Sequence, residues 1–191
     1  MFTRLELSTL HGQVGLGKVE SKTVAGSVAS VVITDASWAS GIWVTLENGL
    51  FELWNGDTKL DCVLQLTKIT SSTRTLELTK ISGSGDLADI VAGDDIFPKG
   101  AKLGADTYNE MAGLFKQYDP ATVKLFGITR TPYSLLKGNE KTDVGEISSA
   151  KIVEAASLAV DKGLMSDAVV LVGTKTFADL NAENMGLRMF D

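Results

Sequence analysis

The chain of 191 residues is long enough for one domain or two small ones, and 44% of its residues are hydrophobic. Its net charge of −6 comes without a cluster of Lys or Arg, so nucleic-acid binding has no electrostatic footprint. The single cysteine excludes a disulfide within the chain and disfavours a cysteine-based zinc site. No apolar run of about 18 residues and no secretory signal are present, so we expect no membrane span.

Residues 1–104 have the pattern of a β-rich lobe. Apolar and polar residues alternate with period 2, which indicates strands with one buried face. The turn Asn55-Gly56-Asp57 and the polar turn at 70–73 each predict an antiparallel hairpin. The predicted strands are Val28–Thr34, Ile42–Leu46, Leu50–Trp54, the alternating runs at 60–67 and 75–79, and a short strand at Ile96-Phe97.

Residues 105–191 have the pattern of a helix–strand–helix lobe. Thr107 and Glu110 have the spacing of a capping box, which predicts a helix from there to Tyr118. The stretch 125–139 contains two glycines and a proline and is predicted to be extended or looped. The fold class expected for the whole chain is therefore α+β.

The main helix of this second lobe is predicted at about 148–162. Ser148 is a good N-cap, and Gly163 fits the C-terminal cap. The apolar face of this helix comprises Ile152, Val153, Ala156, Ala159 and Val160. We expect a buried strand and a second helix to follow, at Ala168–Val172 and from about Thr174, with Phe177 and Leu180 facing inward.

The segment Gly12–Lys18 matches the GxxxxGK core of a phosphate-binding loop. Such a loop needs a Ser or Thr next to hold magnesium and should open a helix, whereas Val19 follows here and the sequence then predicts extended structure. Thr34-Asp35 only mimics the partner magnesium motif. A flexible glycine-rich segment is the favoured interpretation, and nucleotide binding is the weaker alternative.

His11 and Cys62 are the only residues of their types. A histidine-dependent triad would have to use His11, yet no G-x-S-x-G motif accompanies it, and we expect a solvated loop residue. Cys62 is in phase with the apolar positions of its predicted strand. We therefore interpret it as a small core residue rather than a nucleophile.

Acidic pairs and tryptophans are the remaining candidates for binding. Oxygen-only cation sites need five or more converging ligands, and no acidic pair here has calcium-loop spacing, so turn and strand-edge roles are expected. The tryptophans could form a sugar or peptide platform or a packing cluster, and the latter is favoured because no set of polar ligands accompanies them. The pairs are Asp94-Asp95, Asp57 with Asp61, and Asp86 with Asp89, and the tryptophans are Trp38, Trp43 and Trp54. No catalytic residue, metal ligand or cofactor is assigned.

Several ordered blocks in the second half resemble tailed-phage major capsid proteins. These blocks are Ala92–Lys102, Met111–Leu114, Leu125–Asn139, Ile147–Gly163 and Val169–Asp191, with a weaker match at Val24–Trp54. The resemblance covers about half of the chain, and it rests on the order and spacing of the blocks rather than on one signature.

The resemblance implies the Hong Kong 97-type capsid fold and a non-enzymatic shell subunit. Copies would assemble in the host cytoplasm as pentamers and hexamers of an icosahedral virion around DNA, and small contacts would add up through multivalency. Scaffolding, portal or decoration proteins are further partners that such a subunit would meet. Subunits of this family are usually longer, so we expect a truncated or partial subunit: a fragment, a truncated prophage gene product or a divergent short form.

The alternative to a shell subunit is another virion or surface binding module that uses the β-rich lobe and its tryptophans. A nucleotide-dependent enzyme built on Gly12–Lys18 is the third hypothesis.

Overall fold

The computed structural model describes residues 4–119, 124–133, 137–139, 145–170 and 172–188. Within these ranges the chain is mixed α/β, with a mostly β part and five α-helices. Two compact units are formed, one by residues 1–117 and 125–128 and the other by residues 118–124 and 129–191. We call the first the β-rich unit and the second the helical unit.

The secondary structure of the described residues comprises eleven strands, five α-helices and three short 3₁₀ turns at 35–37, 71–73 and 87–89. The strands are β1 (Gly17–Ala25), β2 (Val28–Ile33), β3 (Leu50–Asn55), β4 (Thr58–Lys59), β5 (Val63–Thr70), β6 (Thr75–Ser82), β7 (Asp95–Pro98), β8 (Lys102–Gly104), β9 (Thr107–Tyr108), β10 (Lys124–Leu125) and β11 (Ile128–Thr129). The helices are α1 (Arg4–His11), α2 (Ser40–Val44), α3 (Leu114–Tyr118), α4 (Ser149–Asp161) and α5 (Thr174–Arg188).

Six strands of the β-rich unit form a closed antiparallel barrel. Their order is β3-β5-β6-β2-β1-β7, and β7 pairs again with β3. Closure occurs at Phe51, whose backbone pairs with Leu64 of β5 and with Pro98 of β7. Because closure joins the two end strands of the six, the β-rich unit does not need a neighbouring chain to complete its sheet.

The core of the barrel is built from the alternating apolar residues of its strands. Leu64 and Leu66 of β5 and Leu76 and Leu78 of β6 are fully buried, as the period-2 pattern predicts. Burying one such side chain stabilises the fold by about 1.5–3 kcal/mol relative to leaving it exposed. The remaining buried members include Val19, Ala29, Val31, Ile33, Phe51, Leu53, Leu87, Ile90 and Ile96.

Most of the predicted strands are confirmed, including both hairpins. Asn55 pairs with Thr58 across the first turn, and Thr70 pairs with Thr75 across the second. The predicted strand at Ile42–Leu46 is wrong, because this run contains the end of helix α2 and a turn. The helix buries Trp43 against the Phe51 ring, at a centroid distance of 5.9 Å. A short apolar run does not distinguish a helix from a strand by periodicity alone.

The predicted start of a helix at Thr107 is also wrong. Residues 107–108 form β9, and only Leu114–Tyr118 is helical. The Thr107 hydroxyl donates a hydrogen bond to the Ala105 carbonyl (3.0 Å) instead of capping a helix. Pairing with β8 therefore overrides the local capping signal.

The lobe boundary expected near residue 104 lies inside the β-rich unit, which continues to residue 117. A close backbone contact explains this position. The Gly113 amide donates to the Gly12 carbonyl at 2.8 Å, and the Gln13 side-chain amide donates to the Glu110 carbonyl at 2.9 Å. These hydrogen bonds hold residues 110–113 against the end of α1. Strands β8 and β9, which lie between the barrel and residues 110–113 in the sequence, therefore belong to the β-rich unit as well.

In the helical unit, the main helix is confirmed. Helix α4 spans Ser149–Asp161 with Ser148 at the N-cap position, and Gly163 has the left-handed conformation expected after its end. The second helix starts at Thr174 as predicted. The strand predicted at 168–172 is not formed by residues 168–170 or 172, and residue 171 lies outside the described residues.

Candidate functional site

Helix α4 exposes part of the apolar face that its sequence predicts. The helix contains no buried residue. Val153 is 70% exposed and Val160 is 58% exposed, and Ala156 lies between them at helical spacing. These three residues form a stripe, which we call the α4 stripe. A contiguous exposed apolar surface is typical of a site that another protein surface covers.

The segment that follows α4 is apolar and exposed as well. Met165 is 98% exposed and Val169 is 86% exposed. β-Branched residues such as Val169 and Val170 fit best on a half-buried sheet. The segment thus has the composition of a core strand, but its described residues pair with no strand. Phe177 of α5, predicted to face inward, is also exposed.

A carboxylate from α5 serves the N-terminus of α4. The Ser149 amide and hydroxyl donate to Glu183 Oε2 at 2.9 and 3.2 Å, whereas the Ser148 side chain makes no capping hydrogen bond. The free amides and the dipole of a helix N-terminus favour such a negative charge. A groove of about 940 Å³ lies around this contact and is lined by Gly145, Glu146, Ile147, Ser148, Lys151, Lys175, Thr176, Asp179, Ala182 and Glu183. Its helix terminus is therefore already occupied by a side chain of the same unit.

The three tryptophans do not form an exposed platform. Trp43 and Trp54 are buried, and Trp38 is half-buried with its ring stacked 6.4 Å from that of Trp43. Trp54 belongs to a second cluster with Phe97 and Ala101, apart from the barrel core. The geometry therefore agrees with the packing interpretation and removes the feature on which the sugar or peptide platform depended.

Lys102 lies inside this second cluster. Its ammonium nitrogen is 5.0 Å from the Trp54 ring centroid, 5.7 Å from Phe97 and 5.8 Å from Tyr108, and its side chain is 7% exposed. The ammonium donates to the Gly56 carbonyl at 2.5 Å and lies 3.6 Å from an oxygen of Asp57. A desolvated cation over an aromatic face contributes about 2 kcal/mol.

The rings of Trp54, Phe97 and Tyr108 form a cage around the Lys102 ammonium, and one unfavourable feature accompanies this cage. The indole N–H of Trp54 is buried without a hydrogen-bond partner, and an unsatisfied buried donor costs about 1–3 kcal/mol. Burial also raises the pKa of the Tyr108 hydroxyl, with a smaller contribution from Asp106. The cage thus combines one strong attraction with a cost of similar size.

The glycine-rich segment Gly12–Lys18 does not adopt the structure of a phosphate-binding loop. It runs from the end of α1 into strand β1, so no helix follows it. Lys18 pairs with Asp95 at 3.1 Å and donates to the Gly93 carbonyl at 3.2 Å. The lysine therefore joins β1 to β7 instead of pointing into an open anion site, which argues against the nucleotide hypothesis.

His11 is not the solvated loop residue that was predicted. It ends helix α1, is half-buried, and its ring lies 4.5 Å from the Phe115 ring. Burial lowers the pKa of His11 below its ordinary value. In this contact the imidazole acts as a packing group between α1 and α3.

Cys62 is buried, as predicted. Its thiol donates to the Gly85 carbonyl at 2.9 Å, and burial raises the pKa of the thiol. A thiol with a raised pKa is a poor nucleophile at neutral pH. The core interpretation of Cys62 is therefore confirmed.

The acidic pairs have structural roles. Buried Asp94 accepts hydrogen bonds from the Asn55 side chain and the Val91 amide, both at 2.9 Å. Asp61 accepts from the hydroxyl and the amide of Ser84, and these hydrogen bonds lower the pKa of the Asp61 carboxyl. Asp86 and Asp89 form the capping box of the turn at 87–89. Across the described ranges, no group of three or more His, Cys, Asp or Glu is placed to hold a metal ion.

Two of the contacts described above were not foreseen from the sequence, those of Lys102 and Glu183. Each joins residues more than thirty positions apart, and neither has a local pattern that marks it.

Comparisons of the chain with protein-family models, with curated proteins and with solved structures found no match. None of the helices in the described ranges has both the length and the apolar character that crossing a membrane requires.

Proposed function

We propose that the chain is a structural subunit of the tailed-phage major capsid class that associates with copies of itself. The observation that carries the proposal is the exposed apolar surface of the helical unit. This surface includes Val153, Val160, Val169 and Phe177, which belong to two sequence blocks that resemble capsid proteins, 147–163 and 169–191. In this proposal the copies build an icosahedral shell around DNA, assembled in the host cytoplasm as pentamers and hexamers.

The difference between the two units supports this assignment. The β-rich unit has a closed barrel and a buried core. Helix α4 has no buried residue, and the residues described between 145 and 188 form no strand on which it could pack. Most of the stability of a helix in a protein comes from packing of its apolar face, so an isolated helix whose apolar stripe is uncovered gains little stability. We propose that neighbouring copies cover the α4 stripe and the exposed segment after it.

The chemistry of the individual residues supports a non-enzymatic role. Lys18 is engaged with Asp95, Cys62 is a buried thiol, and His11 packs on an aromatic ring. These three residues, which are the candidates for catalysis by residue type, thus serve packing or ion pairing. The Hong Kong 97-type fold itself rests on the order of the sequence blocks and is part of the proposal.

The proposal is tested by following the association of the full chain. Sedimentation velocity over a wide concentration range should show concentration-dependent association, and electron microscopy should show particles of uniform curvature. The double variant Val153→Ser/Val160→Ser should weaken this association by about tenfold or more, because it places two hydroxyls in a surface that association would desolvate. A matched control is Val24→Ser, which changes an exposed valine of β1 in the other unit.

Two results would overturn the proposal. The chain could remain monomeric at every concentration and show no particles. Alternatively, it could associate equally well with and without the serine substitutions in the α4 stripe. Amorphous aggregates that form equally in the wild type, in the α4 double variant and in Val24→Ser would also count against a specific interface.

A further inference from the structure

The hairpin at residues 101–109 is attached to the barrel through few contacts. Its first end is held at Gly100, which has a left-handed φ of 73° and whose amide donates to the buried Glu52 carboxylate at 3.2 Å. Its second end is held where the Glu110 carbonyl accepts from Gln13 at 2.9 Å. The hairpin between these points can therefore be treated as a strap with two fixed ends.

Most of the hydrogen bonds within the strap close it on itself. The Asn109 amide donates to the Ala101 carbonyl at 2.9 Å, and the Asn109 side chain donates to the Gly100 carbonyl at 3.1 Å. An isolated two-stranded hairpin is marginally stable at best in water, so these bonds stay protected only while the strap lies on the barrel. The contacts with β3, the β3–β4 turn and β7 are made by Lys102, by the packing of Ala101 and Tyr108 against two aromatic rings, and by the Ala101 amide, which donates to the Pro98 carbonyl at 3.0 Å.

We infer that Lys102 is the latch of this strap, and that its ammonium charge holds the hairpin closed over the rings of Trp54 and Phe97. The ammonium contacts both rings and the Gly56 carbonyl at once, so a single group joins the strap to three elements. A neutral side chain of similar length would fill the space but lose the attraction to the rings and to Asp57.

The closed state of the strap contains an unsatisfied buried donor, which lowers the free energy that opening requires. In the closed structure the indole N–H of Trp54, whose ring lies under the Lys102 ammonium, is buried without a partner. An opening that exposes this ring would return the donor to water. The attraction of the cation and the cost of the indole oppose each other and are similar in size. Loss of the charge should therefore shift the strap towards the open state while the barrel stays folded. This inference does not depend on the proposed shell function.

The test compares Lys102→Met with Lys102→Arg by native-state hydrogen exchange. The reporter is the Asn109 amide, and the reference is the Leu66 amide, which bonds the Gly49 carbonyl in the barrel. In Lys102→Met, the Asn109 amide should exchange about tenfold faster or more, as expected for the loss of a desolvated cation–π contact. The Leu66 amide should keep its protection, and Lys102→Arg should remain near the wild type.

Lys68→Met is the matched control, since Lys68 is an exposed lysine of β5 that pairs with Glu77. It should leave the Asn109 amide unchanged. If Lys102→Met fails to fold, Asp57→Asn provides the second measurement, because Asp57 is 68% exposed and its loss weakens only the ion pair with the latch. It should speed exchange at Asn109 selectively.

Two outcomes overturn the inference. In one, exchange at Asn109 in Lys102→Met, or in Asp57→Asn if that variant is needed, is unchanged. In the other, it accelerates only in parallel with Leu66, which would show that the lysine contributes to global stability and not to a local latch.

Discussion

The contact between Gly12 and residues 111–113 gives a sharp prediction for the substitution Gly12→Ala. A Cβ added at Gly12 would meet two main-chain oxygens, those of Ser8 and Met111, at less than any ordinary contact distance. Backbone atoms cannot turn away as the end of a flexible side chain can. The end of α1 must therefore separate from residues 111–113, and the 2.8 Å hydrogen bond from the Gly113 amide to Gly12 is strained or lost.

The magnitude follows from two opposing effects. Overpacking in a tight contact costs about 1–3 kcal/mol. Replacing glycine by alanine also restricts the unfolded chain, which returns about 0.4–1 kcal/mol. We therefore expect Gly12→Ala to lower the free energy of unfolding by about 1–2 kcal/mol. For a domain stable by about 5–15 kcal/mol, this is a measurable loss.

The assay is urea unfolding followed by tryptophan fluorescence, which reports on the buried Trp43. Gly41→Ala is the control, because it lies in helix α2 without a left-handed φ and its Cβ would meet no atom within 4 Å. It should leave stability unchanged or raise it by up to about 1 kcal/mol. If Gly12→Ala is as stable as the wild type, the close packing of α1 on residues 111–113 is refuted.

Three further predictions concern the core, the pH dependence and the α4 cap. Leu66→Ala should lower the free energy of unfolding by about 2–5 kcal/mol in urea titrations, because Leu66 is fully buried in the barrel; the same change at the exposed Leu103 should cost far less, and equal losses would contradict the barrel core. Since burial lowers the pKa of His11, the unfolded state takes up its proton first, so stability should fall as the pH drops below about 6.5 and level off below the folded-state pKa. His11→Asn should remove this part of the pH profile, and an unchanged profile would exclude His11 as its source. Glu183→Gln should reduce the helix content measured by circular dichroism and the temperature at which the helical signal melts, because the Ser149 amide loses a charged acceptor. An equal effect from exposed Asp179→Asn would show a general charge effect instead.

Elements with local sequence signals could be predicted before the fold was known. Period-2 alternation marked β5 and β6, because a strand with one buried face must alternate. The Asn55-Gly56 turn marked the β3–β4 hairpin. The limits of α4 followed from Ser148 and Gly163, since capping preferences act within one helical turn.

Local signals misled where a neighbouring element competed with them. The capping box at Thr107 was overridden by strand pairing between β8 and β9. The apolar run at Ile42–Leu46 became a helix and a turn, so that Trp43 could pack on Phe51. In both cases tertiary contacts outweighed a propensity of a few tenths of a kcal/mol per residue.

Three features depend on long-range contacts that no local signal predicts: the closure of the barrel at Phe51, the contact of Gly12 with Gly113, and the packing of Lys102 among the rings of Trp54, Phe97 and Tyr108. Each joins residues that are far apart in the chain, and no local periodicity encodes which distant partner a residue meets. The sequence shows that residues 153–170 are rich in apolar side chains. Only the folded chain showed that Val153, Val160 and Val169 stay exposed, because the described residues of the helical unit place no sheet against them.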